Sequence, residues 1–195
     1  MTTALIIIDM QNDFVLPGAT LCVEHAAATV PTIKALLDRA RHETWPVLHV
    51  IREHCRDGSD VERGRVALFT AGAGVCVPGT DGVRIVTELA PRDGEWIIRK
   101  RRFSAFFQTE LDMVLRRLGV QTLLITGTQY PNCIRGAAVD AMSLDYRAVV
   151  ITDACSAQTE AIAAANILDM RNMGITCVPL AELDTVLTPE SSRHA

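Results

Sequence analysis

VQTLLITGTQYPNCIRGAAVDA occupies residues 120–141. The opening VQTLLIT is a short apolar run that stops at Gly127, so it reads as a buried strand. Residues 132–144 read as a helix, and one short loop joins the two. Strand, loop and helix in this order are the repeating unit of a parallel sheet. The loop delivers a cysteine, Cys133, to the first turn of the helix. There a thiol points out of the sheet, at the positive end of a helix dipole. That is a costly place for a structural residue and a good place for a nucleophile.

The same alternation extends in both directions. ALIIID (4–9) is a continuous apolar run ending in a carboxylate, and PVLHVI (46–51) and EWIIRK (95–100) are further strand candidates. RAVVITD (147–153) and ITCVPL (175–180) follow the helix. Between them, residues 26–43 carry helix-spaced Val30, Ile33, Leu36, Leu37 and Ala40, and residues 157–173 form another helix. Leu111, Val114, Leu115 and Leu118 mark an amphipathic helix that Thr109 can cap, with Asp112 three residues on. Apolar strands separated by helices predict an α/β fold with a parallel sheet covered on both faces. The expected organisation is one domain over residues 1–187, with 188–195 as a loose tail.

The balance of charges excludes some partners. A net charge of -4 over 195 residues gives no reason to expect nucleic acid or an anionic membrane surface. No apolar stretch approaches the roughly 18 residues of a membrane helix. The run Ala4–Ile8 is too short for a signal-peptide core and lacks a basic flank. The six cysteines have no CxxC spacing, so they read as reduced thiols of a cytoplasmic protein. Without a resolving partner for Cys133, a thiol redox role is disfavoured.

Residues 54–94 are irregular. HCRDGSDVERGR is charged and AGAGVCVPGTDG is glycine-rich, but no phosphate-loop pattern is present. The stretch reads first as a surface connection over the sheet and second as a lid.

Chemistry is expected at the carboxyl ends of the strands, where open parallel sheets bind ligands. Asp9 closes the first strand, Lys100 the third, and Cys133 opens the helix after the fourth. Lys100 stands out in composition: the chain has 17 arginines and two lysines, Lys34 and Lys100. A compact ammonium is not replaceable by a guanidinium at close quarters. A helix N-terminus and a nearby ammonium would lower the thiol's pKa, and a carboxylate could take its proton.

Three stretches carry a resemblance. IIIDMQNDF (6–14), RKRRFSAFFQT (99–109) and GTQYPNCIRGAAVDA (127–141) resemble, in order, the three motifs of the isochorismatase-like cysteine hydrolase superfamily. That family includes nicotinamidases, N-carbamoylsarcosine amidases and ureidoacrylate amidases. The resemblance implies a three-layer, Rossmann-like isochorismatase fold with a six-stranded parallel sheet in the order 3-2-1-4-5-6. It implies Asp9, Lys100 and Cys133 as a catalytic triad and a cis peptide at Thr128–Gln129. It also implies an oxyanion hole made by the backbone N–H groups of Gln129 and Cys133. The implied reaction is hydrolysis of an amide or ureido C–N bond in a small molecule, through a thioester and without a cofactor. Homodimers or homotetramers are common among such proteins.

Departures from the family narrow the reading. HVIREHCRDGSD (49–60) lacks the Asp-x-His of the nicotinamidase metal site, so no metal is expected and nicotinamide is disfavoured. His49, inside an apolar strand, reads as a core histidine. Isochorismatases proper cleave a vinyl ether without a cysteine, so Cys133 favours C–N hydrolysis. Vinyl ether hydrolysis and a non-catalytic binding role are the alternatives. Phe14, Phe103, Phe106 and Tyr130 flank the motifs and are candidate pocket walls. Arg52, Arg102 and Arg135 could each meet a substrate carboxylate, Arg135 foremost, or could be solvated or intersubunit. Cys155, just after the fifth strand, could approach the same crevice.

Overall fold

The computed structural model describes residues 2–72 and 74–188. Six parallel strands form one sheet: β1 (Thr2–Ile8), β2 (Val47–Arg52), β3 (Trp96–Lys100), β4 (Val120–Thr128), β5 (Arg147–Ser156) and β6 (Thr176–Val178). Their order is β3-β2-β1-β4-β5-β6, as the resemblance implies. Helices α1 (Asn12–Val15), α2 (Ala26–His42), α3 (Val66–Thr70), α4 (Leu111–Arg117), α5 (Arg135–Ser143), α6 (Glu160–Asn172) and α7 (Leu183–Leu187) connect or follow the strands. Of the expected tail, residues 189–195 lie outside the described residues.

The continuous apolar runs are explained by the two covered faces. Along β1, Ala4, Ile6 and Ile8 point to a core closed by α4, α5 and Met170 of α6. Leu5 and Ile7 point to the opposite core, closed by α1, α2 and Leu183 of α7. A strand packed on both sides needs no polar face. Burying each such aliphatic side chain contributes about 1.5–3 kcal/mol. In α2, Ile33, Leu36, Leu37 and Ala40 supply the buried stripe.

Two local readings differ. Thr109 lies one residue ahead of the α4 cap position and still serves the first helical N–H. Its hydroxyl donates to the Ala105 carbonyl at 2.6 Å and accepts from the Leu111 N–H, while Glu110 holds the cap position. Asp112 instead pairs with Arg116 and accepts from the Tyr146 hydroxyl. The second difference lies at the nucleophile: a π-helical turn, Tyr130–Ile134, precedes α5. Such turns recur at functional sites because they re-aim side chains.

Gly127 fixes how β4 meets β1. Its φ is +113°, and a Cβ there would lie 2.0 Å from the Ile8 carbonyl oxygen. Only glycine allows the two strand ends to approach this closely. β1 and β4 are central neighbours whose following segments depart to opposite faces. The crevice beyond their carboxyl ends is therefore the topological switch point of the sheet.

Candidate active site

Asp9 follows β1 directly and is 1% exposed, with φ at +54°. A non-glycine residue in this region is uncommon and clusters at functional sites. Lys100 is the last residue of β3 and is equally buried. β2 separates β3 from β1, a span of roughly 9–10 Å, so a long side chain is needed to cross it. Lys100 Nζ donates to Asp9 Oδ2 at 2.7 Å, to the Arg102 carbonyl at 3.2 Å and to Cys133 Sγ at 3.4 Å. The ammonium thus stands between carboxylate and thiol. The other Asp9 oxygen, Oδ1, is buried and has no hydrogen-bond partner.

A second cation faces the thiol. Arg52, the last residue of β2, is 1% exposed. Its Nη2 lies 3.7 Å from Cys133 Sγ and donates to the same Arg102 carbonyl at 3.1 Å, and its Nη1 pairs with Glu62 at 2.9 Å. Gln11 holds the Arg52 backbone from both sides: Oε1 accepts from its N–H and Nε2 donates to its carbonyl.

Burial pushes the Cys133 pKa up, Asp9 pushes it further, and Lys100 and Arg52 only partly offset this. The expectation of a lowered pKa therefore fails, because desolvation outweighs the cations. Nucleophilicity then depends on a base, and Asp9 is the carboxylate beside it.

The Thr128–Gln129 peptide bond is cis. Thr128, Gln129, Asn132 and Cys133 line a crevice with Asp9, Phe14, Arg52 and Arg65. The irregular segment between β2 and β3 brings Arg65 to the crevice wall and Glu62 to Arg52. It is fastened by the first motif: Gln11 donates to the Val83 carbonyl, Asn12 to the Asp81 carbonyl, and Asp13 accepts from the Cys76 N–H. The residues after Asp9 thus tie the segment between β2 and β3 to the end of β1.

The isochorismatase domain family matches residues 3–182. The chain belongs to the isochorismatase family. A probable inactive nicotinamidase of Arabidopsis thaliana is 44% identical over 183 residues, covering 92% of this chain and 93% of that protein. The ureidoacrylate amidohydrolase RutB of Agrobacterium fabrum is 31% identical over 170 residues, 78% of this chain and 75% of that one. The crystal structure of an isochorismatase family protein from Desulfovibrio vulgaris superposes with a TM-score of 0.94 at 64% identity, covering 95% of this chain and 98% of that one.

Within this isochorismatase-family site the aromatic and arginine candidates divide. Phe14 lines the crevice. Phe103 is not part of the lining, but its ring lies against the guanidinium groups of Arg52 and Arg65, which are. Three expected substrate contacts sit elsewhere. Tyr130 is buried in the core and its hydroxyl donates to the Thr152 carbonyl at 2.9 Å. Phe106 stacks on Tyr146. Arg135 pairs with Asp169 at 2.7 Å on the surface of α5 and α6. Each has a local partner that draws it away from the crevice. Cys155 is also core, with Sγ against the Ile125 carbonyl.

The family's metal-binding members raise the question of a metal. Among the described residues no group of three or more His, Cys, Asp or Glu side chains could hold an ion. His49 Nε2 is bonded to Glu95 at 2.9 Å, and His54 packs edge-on against Phe69 beside Asp60. These residues do not form a ligand set. Arg52, Glu62, Arg65 and Gln11 are the site residues that sequence reasoning underweighted or missed. Glu62 and Arg65 fall in a stretch without periodicity, and Arg52 was indistinguishable from a solvated strand-end arginine.

Proposed function

We propose that this isochorismatase-family chain hydrolyses a C–N bond in a small amide or ureido compound, with Cys133 as nucleophile and a thioester intermediate. The observation that carries this is the Lys100 ammonium held at 2.7 Å from Asp9 and 3.4 Å from Cys133, with all three groups buried. A binding protein has no need of a buried carboxylate, ammonium and thiol in contact, since each charge costs several kcal/mol to desolvate.

In this reading Asp9 takes the Cys133 proton as the substrate carbonyl arrives, and Lys100 stabilises the thiolate. Sγ attacks the carbonyl carbon. The oxyanion is met by the backbone N–H groups of Gln129 and Cys133, each such donor being worth about 2.7–4 kcal/mol of barrier. Asp9 passes its proton to the leaving nitrogen, which departs as ammonia or an amine. A water molecule, deprotonated by Asp9, then attacks the thioester and releases Cys133 as the thiol. The ureidoacrylate amidohydrolase among the relatives supports a ureido or amide substrate. The probable inactive nicotinamidase supports a second reading, a relative that binds without turnover.

A panel of small amides and ureido acids, assayed for released ammonia or amine, separates the two. Turnover on at least one member, absent in Cys133→Ala, supports the hydrolase. Binding of a member without release by the wild type supports the second reading.

A further inference from the structure

The Cys133 thiol touches two cations that differ in what else they touch. Lys100 Nζ donates to Asp9 Oδ2 at 2.7 Å and to Cys133 Sγ at 3.4 Å. When Asp9 takes the thiol proton, negative charge leaves the carboxylate and appears on sulfur. Lys100 is in contact with that charge before and after the transfer. Only interactions that grow along the step lower its barrier. Arg52 is placed differently: its Nη2 lies 3.7 Å from Sγ, and its ion pair among the described residues is with Glu62, at 2.9 Å, not with Asp9. A hydrogen bond strengthens as its acceptor gains charge. Arg52 therefore gains where the charge arrives and gives up no hydrogen bond where it departs. The guanidinium is also fixed in place: Gln11 brackets its backbone, Glu62 holds Nη1, and the Arg102 carbonyl accepts from both Nη2 and Lys100 Nζ. One carbonyl thus sets both cations on the thiol.

We propose that Arg52 is a fourth catalytic residue, which draws negative charge from Asp9 onto Cys133 Sγ during proton transfer, with Glu62 tempering its field. This rests on the cysteine-hydrolase reading and adds a member to its machinery. Burial opposes the Arg52 charge, yet Asp9, Cys133 and Glu62 keep its pKa above the ordinary value, so it stays a cation. The other ionisable neighbours are Arg65, which shares the Phe103 ring, and His54 and Cys76. Burial holds the His54 pKa below 6.5 and pushes the Cys76 thiol well up, so both are neutral at pH 8. A purely structural pair with Glu62 would not require the second guanidinium nitrogen on sulfur.

The test measures alkylation of Cys133 at pH 8 by iodoacetamide, an uncharged reagent, with mass spectrometry of the Cys133 peptide and glutathione in the same sample as standard. Arg52→Gln should slow Cys133 about tenfold or more, the scale on which an adjacent charge acts. Glu62→Gln should speed it about threefold, because Arg52 loses its counter-charge. A merely disturbed site would be slower in both. Arg52→Gln/Glu62→Gln, which leaves neither charge orphaned, should be slow as well and lack the Glu62→Gln gain. Wild-type rates in both variants that lack Arg52, or slowing by Glu62→Gln, overturn the proposal. With an uncharged amide as substrate, Arg52→Gln should lower kcat and leave KM within about twofold; a loss confined to KM would make Arg52 a binding residue and overturn it too. The alkylation needs no turnover. A wild type that hydrolyses nothing, beside a slowed Arg52→Gln, would sink the hydrolase reading and leave the coupling of Arg52 to the thiolate standing. A Cys133 unlabelled in every variant while the exposed Cys55 reacts would overturn both, since a thiol closed to a small amide cannot attack one.

Discussion

Lys100 Nζ lies 2.7 Å from Asp9 Oδ2 although β3, which ends in Lys100, and β1, which Asp9 follows, are not neighbours. The contact spans β2, and neither side chain reaches solvent. A buried pair of this kind is sensitive to shape as well as charge. Lys100→Arg should therefore lose activity about as severely as Lys100→Ala, since a planar guanidinium displaces the carboxylate and thiol, and about 1 Å can cost on the order of a hundredfold. Lys100→Ala should also lose about 3–5 kcal/mol of stability in urea unfolding, because Asp9 is left buried and unpaired. Lys34→Arg is the control, on the exposed side of α2 with Asp38 as partner. Full activity in Lys100→Arg would reduce the lysine to a spare positive charge.

The approach of β4 to β1 gives a structural test. Gly127→Ala places a methyl group against the Ile8 carbonyl at a φ that side chains avoid. The overlap and the backbone conformation together should cost about 3 kcal/mol or more, read from the shift of the urea midpoint. A loss under about 0.5 kcal/mol would mean that the strand ends are not this close.

Acid sensitivity should come partly from Glu95. Burial works against its carboxylate, yet hydrogen bonds from Arg41, the Arg92 N–H and His49 hold its pKa down at about 2. A carboxyl held low in the folded state stabilises above its unfolded pKa and loses that contribution as the pH falls through the folded one. The window is thus from about 4.5 down to about 2, and the contribution is on the order of 2–3 kcal/mol. His49, whose pKa burial pushes below 6.5, adds a loss that begins as the pH drops under that value. Glu95→Gln should flatten the stability profile between about pH 4.5 and 2. A profile parallel to the wild type would exclude Glu95 as its source.

Chelation should leave turnover unchanged. His49 is committed to Glu95, and no ligand set is assembled among the described residues. Activity that vanishes with a chelator and returns with a divalent ion would contradict this.

The sheet and the three motif residues were legible because each rests on a local pattern. Two-faced apolar strands announce a parallel sheet, and Asp9, Lys100 and Cys133 each terminate or follow one. What was not legible depends on long-range partners. Tyr130 beside the nucleophile motif reads as a pocket wall, but its hydroxyl finds Thr152 on β5. Arg135 reads as a helix-start anion binder, but Asp169 on α6 captures it. Arg52 is the converse case. Its burial is set by Gln11 and Glu62, from segments 41 and 10 residues away. The thiol's raised pKa was hidden for the same reason: a helix terminus can be read from spacing, whereas desolvation cannot.

The central claim is that Cys133 carries the substrate as a thioester while Asp9 moves the protons. The most direct measurement is rapid quenching during turnover of the best amide or ureido substrate, followed by mass spectrometry of the intact protein and of its Cys133 peptide. An adduct of the acyl mass on Cys133 in the wild type, with no adduct and no turnover in a folded Cys133→Ala, is the expected result. Turnover by Cys133→Ala near the wild-type rate would contradict it.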